Sequence, residues 1–472
     1  MLFNSIEYLV FFLAVLAFSW ATVKLPVFRI CILLLANYYF YASNNYWLIV
    51  VFFITTQIDY WCAILIEDAN SEKRRKLLLY VSVVTNLLIL GFFKYCNFFA
   101  DTVVDIARLF GVELGWTSLN IVLPLGISFY TFQSLAYTID VYRKEIKAVR
   151  FWPKFSFFIS YFPHIIAGPI IRPHYFLPQL DKKPTLNFAQ LEMALMYIFR
   201  GLLKKIVFSD FISNFADQAF NDPGSCDVFS IWLGVYAFTF QIYFDFSGYS
   251  DIAIGCARLM GYEIPENFHR PYMSRSVTEF WRRWHMSLSF WLRDYLYIPL
   301  GGSRVNKEYK VYRNLMLTML LGGLWHGAAW HFVVWGGLQG LFLCIEKYFG
   351  IGNYKADDTK LNLKRLFQIF LVFHFAVFSW IIFRAENTER LLEIFKRMFT
   401  FDQDIVIYYG TAVAVVIMLI GLLNQFVDEY TSFTKRYINS PIYLKSLYYS
   451  IVVMAMVFFS TDEVKQFIYF QF

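Results

Sequence analysis

The sequence predicts an all-α polytopic membrane protein. Of its 472 residues, 58% are hydrophobic and only 16% charged, and aromatics reach 21%, well above a soluble norm. Apolar runs of membrane-crossing length recur along the whole chain, and no polar linker long enough to divide domains lies between them. A single membrane domain over residues 1–472 is therefore expected.

Taken in order, spans are read at Tyr8–Val23, Phe28–Tyr41 and Trp47–Ile66. No basic segment precedes the first run and no small-residue cleavage site follows it, so it reads as a retained helix. Glu72-Lys-Arg-Arg-Lys76 then marks a cytoplasmic loop, which puts the N-terminus outside the cytoplasm. A fourth span, Leu77–Phe99, returns, and Ala100–Val112 has the spacing of an interfacial helix. The next span, Leu119–Tyr137, ends before Arg143, Lys144, Lys147, Arg150 and Lys154, so charge and counting agree that this loop is cytoplasmic.

Phe157–Ile171 is short and broken by Pro163, Gly168 and Pro169, and reads as a re-entrant piece lining a cavity or covered by protein. Gln190–Phe220 is a long helical stretch, and Val228–Tyr249 a further span ending near Asp245 and Asp251. Those carboxylates either close a helix end or orient a buried donor. Ser274–Leu296 opens with a capping box, Ser276 and Glu279, and reads as a charged aromatic interfacial helix. Arg304, Lys307, Lys310 and Arg313 keep the following loop cytoplasmic. The stretch Leu315–Tyr348 predicts two helical pieces hinged at glycines, followed by a span at Phe367–Ile382. An amphipathic helix at Thr388–Met398 and spans at Val406–Leu423 and Tyr443–Phe459 complete roughly ten to twelve crossings.

The net charge of +7 follows from these basic loops and implies no nucleic-acid partner. The six cysteines (31, 62, 96, 226, 256 and 344) are scattered singly, with no CxxC, so neither a disulfide framework nor a zinc site is indicated.

Chemistry concentrates in the histidines. His326 and His331 lie in the apolar, glycine-rich stretch LGGLWHGAAWHFVVWGGLQG (Leu321–Gly340), where an ionisable group marks a functional site by default. Small residues around His326 let backbone or ligand approach closely. His285 and His326 are each preceded by Trp, Trp284 and Trp325, which suggests one site built from two elements. A desolvated imidazole stays neutral, as a general base for a hydroxyl requires. The competing reading of each is a hydrogen-bonded packing histidine. His331 reads as structural, because on one regular helix it would point away from His326. His374 reads as packing, His164 ranks second to the pair, and His174 and His269 are loop residues. No P-loop, GxSxG or GxGxxG is present. A transporter would show an internal repeat and a charged path, and neither is seen.

FQIYFDFSGYSDIAIG, NFHRPYMSRSVTEFWRRWHMSLSFWLRDYLYIPLGGSR and GGLWHGAAWHFVVWGGLQG resemble the membrane-bound O-acyltransferase superfamily. With LPLGISFYTFQSLAYTIDVYR and ISYFPHIIAGPIIRP, they are most similar to its bacterial alginate O-acetylase-like branch, which includes peptidoglycan O-acetyltransferase relatives. The motif-bearing core is residues 119–349, and the C-terminal helices over 350–472 match mainly in hydropathy. The resemblance implies helices arranged around a central tunnel, His326 as the catalytic histidine, and His285 as the polar residue facing it, where many eukaryotic relatives carry Asn. It further implies acetyl transfer from cytosolic acetyl-CoA, with no permanently bound cofactor, to an extracytoplasmic polysaccharide across a bacterial inner membrane. A separate extracytoplasmic hydrolase-like (SGNH-type) partner is implied as well. Trp325, Trp284, Arg282, Arg283, Arg304, Asp245 and Gln241 are the candidate donor- or substrate-binding residues. The arginines read equally as lipid-headgroup anchors. D-alanyl transfer to a cell-wall polymer, the work of a related branch, is the alternative.

Overall fold

A computed structural model describes residues 1–43, 45–165, 168–352, 361–401, 404–407, 409–431, 433–460 and 465–468. Among them every regular element is helical. Six helices are long and apolar enough to cross a membrane: Leu48–Asp68, Glu72–Leu109, Val228–Leu259, Leu363–Arg384, Thr411–Thr431 and Ile442–Phe459. Ile6–Ala21 and Pro26–Ala42 are apolar but shorter. This is fewer than the ten to twelve crossings expected: Ile6–Ala21, Pro26–Ala42 and Ile127–Tyr142 are short, and Tyr309–His326 and Trp330–Tyr348 are long enough but less apolar.

The chain divides into two compact units. The first comprises Met1–Ala194 and Ala253–Pro265. In it, Leu48–Asp68 packs on Glu72–Leu90 and on Ile127–Tyr142. The Glu72–Leu90 helix runs through a π turn, Gly91–Tyr95, into Cys96–Leu109. The interfacial helix expected at Ala100–Val112 is therefore a continuation of the fourth span. The span expected at Leu119–Tyr137 starts instead at Ile127 and reaches Tyr142. Pro124 and the left-handed Gly126 (φ 65°) delay it, and a side chain at 126 would collide with the Ile165 carbonyl. Phe157–Ile171 is indeed broken, into Trp152–Ser160 and Phe162–Ile165, with residues 166 and 167 outside the described set. Two buried charged groups here are held by polar partners. Asp59 accepts from Ser82 (2.6 Å) and Asn86 (2.8 Å), and Arg29 donates to Ser19, to Tyr262 and to the Met260 carbonyl.

The second unit comprises Leu195–Ile252 and Glu266–Phe472. The helix Phe188–Leu202 continues through a π turn, Leu203–Ser209, into Asp210–Asn221. Gly201 crosses Gly248 so closely that a Cβ on Gly201 would lie 2.6 Å from the Gly248 carbonyl oxygen. Here Gly248 is a crossing point and not a helix end. The span expected to stop at Tyr249 runs on to Leu259, and Asp245 and Asp251 both lie within it. Ser274–Leu296 is not one helix but two short ones, Val277–Trp281 and Met286–Leu292, broken at His285. Ser276 caps the first as expected, accepting from the Glu279 N–H (3.0 Å). Glu279 reaches back to the Arg275 N–H, while Glu346 accepts from the N–H groups of Val277 and Thr278. A buried carboxylate, Glu429, binds Arg270, Arg283 and Arg365 and ties the segment to the later helices.

Candidate active site

The hairpin Tyr309–His326 and Trp330–Tyr348 forms around glycines. A Cβ on Gly323 would lie 2.2 Å from the Phe332 carbonyl oxygen, and one on Gly336 would lie 2.3 Å from that of Met319. The two helices therefore meet backbone to backbone. His326 is the last residue of the first helix, at the turn. Gly327 leaves room for the Phe332 ring, which a Cβ there would strike at 1.9 Å. His331 is the second residue of the second helix, so the stretch forms the two pieces expected, and the single-helix argument that set His331 apart from His326 does not apply.

His326 is 5% exposed and boxed by aromatics. Its ring centroid lies 5.1 Å from Trp325, 5.2 Å from Trp335 and 5.4 Å from Phe383, each close to edge-on. His285 is fully buried, with its ring 6.4 Å from that of His326. The structure thus brings together the two imidazoles that the sequence singled out.

His285 owes its place to a left-handed backbone (φ 42°, ψ 52°) between two helices. Asn267 holds that break. Its carbonyl accepts from the Met286 N–H (2.9 Å), and its side-chain oxygen accepts from the Ser287 N–H (3.2 Å) and hydroxyl (2.9 Å). Phe246 packs on the His285 ring at 4.6 Å. Asn267 and Phe246 were missed in the sequence, since neither carries a spacing signal.

The remaining candidates separate. Trp325 lies against both histidines. Trp284 is wall, stacked on Phe280 and 4.9 Å from Trp380. Arg283 is committed to Glu279 (2.7 Å) and Glu429 (2.8 Å), so its guanidinium is not on offer to a phosphate. Arg282 and Arg304 are exposed. Asp245 pairs with Lys205 (2.8 Å), and Gln241 accepts from Arg384 (3.1 Å). Asp251 binds Arg200 and Lys204. His164 contacts Gln133 (2.6 Å) within the first unit, and His374 contacts Tyr236 (2.9 Å) and the Phe370 carbonyl (2.8 Å) as a packing residue. Trp335 and Trp380, not anticipated from the sequence, are each 1% exposed, and their indole N–H groups have no hydrogen-bond partner among the described residues. The Trp335 indole N–H beside His326, with a second imidazole close by in a buried aromatic box, suits a reaction in which a proton moves and negative charge develops on oxygen.

Comparison with known proteins decides the family. Residues 149–383 match the model of the membrane-bound O-acyltransferase family. The chain is 44% identical over 346 residues to a probable alginate O-acetylase AlgI of Azotobacter vinelandii, covering 73% of this chain and 67% of that one. It is 36% identical over 370 residues to a peptidoglycan O-acetyltransferase of Helicobacter pylori, covering 72% and 68%. This chain belongs to the membrane-bound O-acyltransferase family. It is therefore a multi-pass membrane enzyme of the O-acyltransferase class. A teichoic acid D-alanyltransferase of Streptococcus thermophilus is 32% identical over 284 residues, covering 55% and 68%.

Proposed function

We propose that the protein moves an acetyl group from acetyl-CoA, supplied on the cytosolic side, to hydroxyls of an extracytoplasmic polysaccharide. The observation that carries this reading is the pair His285 and His326, 6.4 Å apart and shut away from solvent. His326 accepts the proton of the acceptor hydroxyl as its oxygen attacks the thioester carbonyl carbon. The tetrahedral intermediate collapses, the C–S bond breaks, and the CoA thiolate leaves and recovers the proton from His326. His285 orients the reacting groups, and the Trp335 N–H donates to the carbonyl oxygen as charge builds there.

The relatives named for alginate and for peptidoglycan O-acetylation favour acetyl as the group and a cell-surface glycan as the acceptor. A separate extracytoplasmic transferase completes delivery to the polymer, and the membrane is the bacterial inner membrane with the N-terminus outside. Transfer of radiolabelled acetyl from acetyl-CoA by the purified enzyme tests the proposal. His326→Ala should abolish transfer while the protein still inserts and accumulates, and His285→Ala should impair it strongly. Retained transfer in His326→Ala removes the mechanism. Charging by a D-alanyl carrier protein, with none by acetyl-CoA, moves the enzyme to the D-alanyl branch.

A further inference from the structure

The first unit carries a cleft of about 790 Å³, lined only by residues between 26 and 181. Its walls are the start of the helix Pro26–Ala42, the loop 145–151, the start of the helix Trp152–Ser160, and Pro173–Phe176 with the 3₁₀ turn Leu177–Asp181.

The charged groups of the lining divide into committed and uncommitted. Arg150 binds Asp68 (2.5 Å) and Glu67 (3.0 Å), and Lys154 binds Asp181 (2.6 Å). Glu145 stands 3.9 Å from Arg143. Lys147, on the loop, and His174, 27 residues later, are exposed and have no hydrogen-bond or ion-pair partner among the described residues. Two donors from separate segments are thus left over in one cleft. Below them the floor is apolar, made by Val27, Ile30, Leu177 and Leu180. From Val27 it passes onto an exposed stripe of the same helix, Phe28, Leu35 and Tyr39, at helical spacing. In a multi-pass membrane protein such a stripe faces acyl chains.

We propose that this cleft binds one anionic phospholipid. Its phosphodiester accepts from Lys147 and His174, and its chains run from the floor onto the Phe28 stripe. A basic pocket beside membrane helices suits a phosphate headgroup by charge. A soluble phosphate would leave the apolar floor in contact with water. The volume equals about 26 water-sized groups at roughly 30 Å³ each. A phosphoglycerol headgroup has only about ten non-hydrogen atoms, so the first methylenes of the chains enter with it. This site is independent of the acyl-transfer reading and needs only the bilayer.

The test titrates full-length protein in mild detergent with dioleoylphosphatidylglycerol or dioleoylphosphatidylcholine, and native mass spectrometry reads the bound lipid. The parent should hold phosphatidylglycerol in preference to phosphatidylcholine. Lys147→Glu with His174→Glu should weaken the tightest phosphatidylglycerol about tenfold or more, the loss of at least one charge-assisted hydrogen bond. Both positions are exposed, and size-exclusion chromatography checks that the variant folds. Lys147→Gln with His174→Gln should weaken binding in the same direction. Lys73→Glu with Arg74→Glu, at exposed positions of the same unit, makes at least as large a change of charge and should leave that lipid bound. Glycerol 1-phosphate, which has the phosphate and no chains, should not displace it. Unweakened binding in both Lys147/His174 variants overturns the proposal, as does equal loss in the Lys73/Arg74 variant. Equal retention of phosphatidylcholine, or displacement by glycerol 1-phosphate, overturns it as well.

Discussion

Adding a single methyl group at Gly323 should disable the enzyme without touching either histidine. A Cβ there would sit 2.2 Å from the Phe332 carbonyl oxygen, against the 3.0 Å below which such contacts are essentially never found, and 3.0 Å from the Gly336 Cα. Backbone cannot rotate away as a side chain can, so the hairpin must open by at least the missing 0.8 Å. His326 is three residues further on and Trp335 is on the opposite helix, so the opening shifts His326, the proposed base, against its box. A misplacement near 1 Å costs about 10²-fold in rate, or roughly 2.7 kcal/mol of barrier. Overpacking lowers stability by a further ~1–3 kcal/mol. Gly337→Ala is the control, since its Cβ would meet Leu320 at an ordinary 3.4 Å. The assay is acetyl transfer by each purified variant, with size-exclusion chromatography to confirm folding. If Gly323→Ala turns over as fast as Gly337→Ala, close helix contact does not set the position of His326.

Trp335→Phe keeps a ring beside His326 and removes the unused N–H. It should cut kcat by about 10²-fold and leave KM for acetyl-CoA nearly unchanged, and an unaltered kcat would dismiss the donor role. Glu429→Gln leaves Arg270, Arg283 and Arg365 short of their shared counter-charge. It should lower unfolding stability by about 3–5 kcal/mol. Equilibrium unfolding in mixed micelles measures this, and a variant as stable as the parent would show that the arginines find other partners.

Much of the fold could be read from local pattern. The hairpin holding His326 was legible because its glycines interrupt an otherwise apolar run, and most span limits followed from hydropathy and basic loops. What failed was any feature set by distant partners. Gly248 looked like a helix end because its contact, Gly201, lies 47 residues earlier in the sequence. Arg283 looked available for a phosphate because Glu429, 146 residues away, gives no local sign of meeting it. The break at His285 was hidden because the flanking residues have good helical spacing and the left-handed turn is held by Asn267. Trp335 gave no sign in the sequence, since only its packing on His326 brings its indole N–H to the site.

The left-handed backbone at His285 also bears on how this chemistry can drift. Most side chains are excluded from that region of dihedral space, while Asn and His are among the few enriched in it. The loop therefore favours Asn or His at this position by geometry, although the chain holds Lys144 and Arg270 in the same region. An imidazole can give way to a carboxamide there with no rebuilding of the surrounding helices. A site framed this way can change the group that faces His326 while keeping the same skeleton.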